Sequence, residues 1–158
     1  MASTRLIQRV NAPRRQVYRA LLDSCAIATW MAPNGMTSHV HLFDAHEGGS
    51  FRVSLTYDSP TGTGKTSPNT DTYHGRFVKL VPNQQVIEVI EFETADLAMR
   101  GEMMVTFTLT DADNGTDVLA VHENLPPGLA PSDNEAGWRM ALAKLAKFVE
   151  GRTRNNDA

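Results

Sequence analysis

At 158 residues, with 41% hydrophobic and 21% charged residues, the chain has the length and composition of one globular domain with its own core. A formal net charge of −3 argues against a nucleic-acid surface, which needs clustered Lys and Arg, and no apolar run approaches the length of a membrane span. Met1 to Leu6 lack the apolar core of a signal peptide, and a single cysteine excludes an internal disulfide, so a cytoplasmic domain is expected.

Arg5 to Val10 reads as a first strand, closed by Asn11-Ala12-Pro13. Pro13 suits the first turn of a helix, where its missing N–H costs nothing. Val17, Tyr18, Leu21, Leu22 and Cys25 recur at helical spacing and predict one buried face, with Cys25 an inert, buried thiol. A second short helix is expected over Ala26 to Met31, ended by Ala32-Pro33-Asn34-Gly35. Six strands follow: Ser38 to Phe43, Ser50 to Tyr57, Thr72 to Leu80, Val86 to Glu93, Glu102 to Thr110 and Thr116 to Glu123. Turn residues separate them, at His46-Glu47-Gly48-Gly49, Pro82-Asn83 and Asp111 to Gly115, and such short connections predict an antiparallel meander.

Ser132-Asp133-Asn134-Glu135 reads as a capping box with Ser132 as N-cap. Trp138, Leu142, Leu145 and Val149 then form an apolar stripe, widened by Ala141 and Phe148, and Gly151 is expected to end the helix. One domain over residues 1–151 and a polar tail over 152–158 follow from this order. The antiparallel sheet must cover its apolar face, and only the C-terminal helix is long enough to do so. The expected class is α+β: a curved antiparallel sheet of about seven strands around a long C-terminal helix, with two short helices after the first strand. A gap left between sheet and helix is the natural ligand site.

Pro60 to Asn69, PTGTGKTSPN, contains the Gly-Lys-Thr end of a phosphate-binding loop. Ser59 stands where that loop needs its first glycine, and a strand rather than a helix follows, so nucleotide binding is not expected. The stretch reads instead as a polar flap over one end of the gap, with Lys65 solvated or meeting an anionic ligand group.

Val10-Asn11-Ala12-Pro13-Arg14-Arg15-Gln16-Val17-Tyr18-Arg19-Ala20-Leu21 resembles the opening of START-like (SRPBCC) domains, in particular homologues of the heat-shock-protein ATPase activator. Trp30, Glu47-Gly48-Gly49-Ser50-Phe51-Arg52, His74-Gly75-Arg76-Phe77, Pro82, Gly115-Thr116, His122-Glu123 and Gly137-Trp138 extend the resemblance in the same order. It spans residues 6 to 149, departing in the insertion Ser59 to Asn69. The resemblance implies a helix-grip fold with a hydrophobic cavity between the sheet and the C-terminal helix. Its members include small-ligand carriers, self-sacrificing resistance proteins and co-chaperone domains, and related branches hold cyclases and hydrolases, so fold guides function only loosely.

His39, His41 and His46 offer three imidazoles, but the sequence supplies no fourth ligand at zinc-site spacing, and exposed edge-strand histidines are expected. His122 lies where the resemblance places a polar residue facing the cavity; Glu123 points to the opposite face, so no His–Glu catalytic pair is implied. Glu91 and Glu93 read as a solvated face, which leaves Glu88 as a carboxylate on the more apolar face of its strand, lining the pocket or turned outward by a strand-end irregularity. Met31, Met99, Met103, Met104 and Met140 supply adaptable apolar walls. The expected ligand-binding set is Trp30, Phe51, Val53, Tyr73 and Phe77, with Phe92, Phe107, His122, Trp138 and Leu142. No cofactor, metal or catalytic residue is expected. The leading expectation is binding of a small hydrophobic or amphipathic molecule. A chaperone-docking or self-associating interaction module and a cyclase- or hydrolase-type enzyme are the alternatives.

Overall fold

The computed structural model describes residues 2–31, 35–58 and 70–156, with side chains through Arg152. The Pro60–Asn69 flap and the Ala32-Pro33-Asn34 turn therefore lie outside the described residues. β1 (Thr4–Val10) leads into α1 (Arg14–Leu21) and α2 (Ser24–Trp30). Then come β2 (Met36–Phe43), β3 (Ser50–Tyr57), β4 (Thr70–Val81), β5 (Gln85–Phe92), β6 (Met103–Ala112) and β7 (Gly115–Glu123). A single 3₁₀ turn, Leu97–Met99, interrupts the β5–β6 connection, and α3 (Pro131–Asn156) closes the chain.

The seven strands form one antiparallel sheet in the order β1-β7-β6-β5-β4-β3-β2. From β2 to β7 each strand pairs with its successor, as short connections dictate; β1 alone arrives from far along the chain, setting Thr4 opposite His122 and Val10 opposite Thr116. The α+β helix-grip architecture expected from the sequence is the one observed. At the β6–β7 hairpin both Asp113 and Asn114 adopt positive φ, 42° and 67°, the type I′ geometry that matches strand twist. Gly75, in the middle of β4, answers a different demand. A Cβ there would lie 1.9 Å from the Val89 carbonyl oxygen and 2.8 Å from Phe51 Cζ, so no side chain fits.

Alternation decides which face of the sheet is inner. Val86, Glu88 and Ile90 on β5, and Met103, Val105, Phe107 and Leu109 on β6, are buried. α3 lies across β1, α1 and α2, and its Leu142, Leu145 and Val149 are at most 2% exposed. The Trp30 indole, also buried, donates to the Ala20 carbonyl at 3.1 Å and ties α2 to α1.

Three local expectations need correction. α3 begins two residues earlier than the capping-box reading: the Asp133 and Asn134 amides donate to the Ala130 carbonyl, Pro131 opens the helix, and Glu135 pairs with Arg139 instead of reaching back. Proline at the first helical position outweighs the serine cap, because its φ is already helical. Second, Gly151 does not stop α3, which continues to Asn156; helix propensity penalises a single glycine by only about 1 kcal/mol. Third, Cys25 is exposed. The helical stripe breaks at Asp23, whose carboxylate accepts from the Cys25 amide at 2.9 Å and starts α2 on a new axis.

Candidate functional site

The inner faces of β3, β4 and β5 do not meet α3 along their whole length, and a cavity of about 640 Å³ opens between them. Leu55 and Tyr57 of β3, Tyr73 of β4 and Ile90 and Phe92 of β5 form one wall. Asn134, Gly137, Trp138 and Ala141 form the other; their spacing of three, four and seven residues places them on one face of α3. Five methionines, Met31, Met36, Met99, Met103 and Met140, fill the ends, and such flexible thioethers let one pocket fit several apolar shapes. The polar lining is acidic: Asp71 is buried in the wall, while Asp96 and Asp133 stand exposed at the rim. No Lys, Arg or His belongs to the described lining.

Beyond Met31 and Tyr73, which touch both spaces, lies a small void of about 20 Å³. Its walls are apolar except for Tyr73 and Glu88. Glu88 is 9% exposed, and among the described residues no hydrogen bond or ion pair reaches its carboxyl. Loss of hydration penalises the charged form, so burial pushes the Glu88 pKa up to about 8 and the group is mostly protonated at neutral pH. Burial, and secondarily the Glu88 carboxyl, raise the Tyr73 phenol.

His122 sits behind the cavity wall rather than in it. Its Nδ1 lies 3.2 Å from Thr4 Oγ1, the cross-strand partner set by the β1–β7 register, and Asn134 Nδ2 donates to the same Oγ1 at 2.9 Å. Thr4 Oγ1 thus bridges the His122 ring and the Asn134 amide, since a hydroxyl can donate one hydrogen bond and accept two. Nε2 is buried without a hydrogen-bond partner, and the ring packs on Trp138 at 4.5 Å between centroids. Burial lowers the His122 pKa to about 4, so the ring is neutral.

The outer face is chemically different. Arg52 makes a two-pronged pair with Glu93 at 2.8 and 2.9 Å, and His74 Nδ1 adds a contact to Glu93 at 3.1 Å. The pair holds the Glu93 carboxyl below the usual range, chiefly through its hydrogen bond to Arg52. His39 and His41 stack edge-on at 4.6 Å on edge strand β2, while His46 turns to Asp44. No group of three or more potential metal ligands gathers among the described residues.

Of the residues singled out in the sequence, Tyr73, Phe92 and Trp138 line the main cavity. Trp30, Phe51, Val53 and Phe107, again with Tyr73, surround the inner void. Phe77, His122 and Leu142 are fully buried and line neither space. The acidic residues Asp71, Asp96 and Asp133, and the Thr4–Asn134 link, were not anticipated; strand pairing of Thr4 with His122 was the only signal for the latter, and it needs the β1–β7 register.

Residues 11–150 match the profile of the family described as activator of Hsp90 ATPase homolog 1-like protein. The chain belongs to this family. A Chromobacterium violaceum protein of known crystal structure is 32% identical, with a TM-score of 0.84 over 94% of this chain and 96% of that one. A Rhodobacter sphaeroides protein shares the fold at 19% identity, with a TM-score of 0.76 over 94% of this chain and 93% of the other. A protein described as putative from the dynemicin biosynthetic locus shares it at 22% identity and a TM-score of 0.65, covering 94% of this chain and 47% of that one. No curated protein matches the sequence significantly. No helix among the described residues is long and apolar enough to cross a membrane.

Proposed function

We propose that this family member binds a small hydrophobic or amphipathic molecule in the cavity between the sheet and α3, without transforming it. The observation that carries this reading is the cavity itself. Its volume of about 640 Å³ falls in the range that encloses a drug-sized ligand, and its walls are mainly methionine, aromatic and aliphatic side chains. Glu88 faces the inner void, whereas His122 is held by Thr4, so these two buried groups do not form a nucleophile–base pair.

Titration with the neutral, environment-sensitive dye Nile red tests this reading. Saturable fluorescence enhancement at one site per chain, lost in the cavity-filling variant Ala141→Phe, is the expected result. Enhancement that is unsaturable, or unchanged in Ala141→Phe, contradicts it. A second reading, docking of a protein partner at the rim, draws support from one observation: Leu97, on the turn that carries Met99, is 75% exposed, and the rim residue Met140 is 41% exposed.

A further inference from the structure

The cavity has a charge preference as well as an apolar shape. Three carboxylate side chains, Asp71, Asp96 and Asp133, lie along it, no cationic side chain belongs to its described lining, and a fourth carboxyl, Glu88, waits unpartnered at its inner end. A buried polar group without a partner costs free energy that a ligand can recover by supplying one. Among the side chains that face the Glu88 void from α1, α2, β2, β3, β4 and β6, Tyr73 is the sole titratable one, so no cation of the described chain competes for the carboxyl.

We propose that the cavity selects apolar cations, molecules with an aromatic or aliphatic body and one basic nitrogen, with Glu88 as the inner counter-charge and the exposed rim carboxylates Asp96 and Asp133 guiding entry. This inference rests on the ligand-binding reading above. The apolar body occupies the main cavity against Trp138 and the methionines. The nitrogen enters the void of about 20 Å³, a space of one small polar group, once the Met31 side chain swings aside. The ammonium keeps its protons; Glu88 gives its own to solvent and becomes the carboxylate of the ion pair. Binding at neutral pH thus releases a proton, which follows from the raised pKa of the empty site.

Calorimetric titration with 4-phenylbutylamine, 4-phenylbutan-1-ol and 4-phenylbutyrate tests this, because the three share one apolar body. At pH 7 the amine is expected to bind about tenfold or more tighter than the alcohol, and the carboxylate weakest. Heats measured in phosphate and in Tris should differ for the amine, reporting proton release, and agree for the alcohol. Glu88→Gln, which keeps size and neutrality, should abolish the proton release and most of the amine preference. Asp96→Asn, at an exposed rim position, should weaken the amine alone, by about two- to threefold. Equal affinity for amine and alcohol, tighter binding of the carboxylate, or an amine preference that survives both substitutions overturns the inference while leaving the cavity reading intact. Failure of all three compounds to bind overturns both.

Discussion

Replacing Glu88 by Gln should stabilise the protein, and the gain should grow with pH in a defined window. The folded-state pKa is raised from the ordinary 4.5 to about 8 because burial disfavours the carboxylate. Below pH 4.5 the group is protonated in both states and Glu and Gln are nearly equivalent. As pH rises from 4.5 to 8 the unfolded chain loses the proton and the folded chain keeps it, so the folded wild type progressively loses relative stability. Each pH unit corresponds to about 1.4 kcal/mol, and pH 7 lies 2.5 units above 4.5, so Glu88→Gln should gain about 3 kcal/mol at pH 7. Above pH 8 both states are ionised and the gain levels off near 5 kcal/mol, to order of magnitude. Urea unfolding of both proteins at pH 5, 7 and 9 measures this difference, with every other carboxylate cancelling between them. A difference that is independent of pH, or a Gln variant that is less stable at pH 9, refutes the reasoning and with it the unpartnered carboxyl.

His122 should stay neutral well below the ordinary histidine range, since burial lowers its pKa from 6.5 to about 4. As pH falls from 6.5 to 4 the unfolded chain gains a proton that the folded chain refuses, so stability present above pH 6.5 is lost; an NMR titration of the His122 ring should show a midpoint near pH 4, and one near 6.5 contradicts burial. Thr4→Val severs the link between His122 and Asn134, leaves both buried partners unsatisfied, and should cost about 2–3 kcal/mol in chemical unfolding. Breaking the outer Arg52–Glu93 pair with Arg52→Ala should cost under about 1 kcal/mol, because that pair faces solvent; equal costs would overturn the distinction between the two networks. Gly75→Ala should destabilise by about 3 kcal/mol or more, since its Cβ would sit 1.9 Å from the rigid Val89 carbonyl; a variant within about 0.5 kcal/mol of wild type refutes the close approach.

Much of the fold was legible because each strand carries its own signal. The period-two pattern on β5 already separated Glu88 from Glu91 and Glu93, and the structure places the first inward and the others toward His74 and Gly101. Turn chemistry at Asp113-Asn114 fixed a hairpin in the same local way. Helix ends were less legible. Pro131 and Ser132 both offer a start, Gly151 offers a stop, and tertiary support over α3 decides between them. The site was the least legible part. Phe77 packs shut against Phe43 and Phe51, a contact between strands that no local pattern encodes. The acidic lining comes from three separate segments, β4, the 3₁₀ turn and the first turn of α3, which only the folded chain brings together.

The most direct test of the central claim is native mass spectrometry of the protein purified from its own host, followed by denaturing extraction. A stoichiometric small molecule that is lost on denaturation, apolar in body and carrying a basic nitrogen, is the predicted result. A bare mass that gains nothing on incubation with host small-molecule extract would contradict ligand binding and shift the weight to a protein partner at the Leu97–Met140 rim.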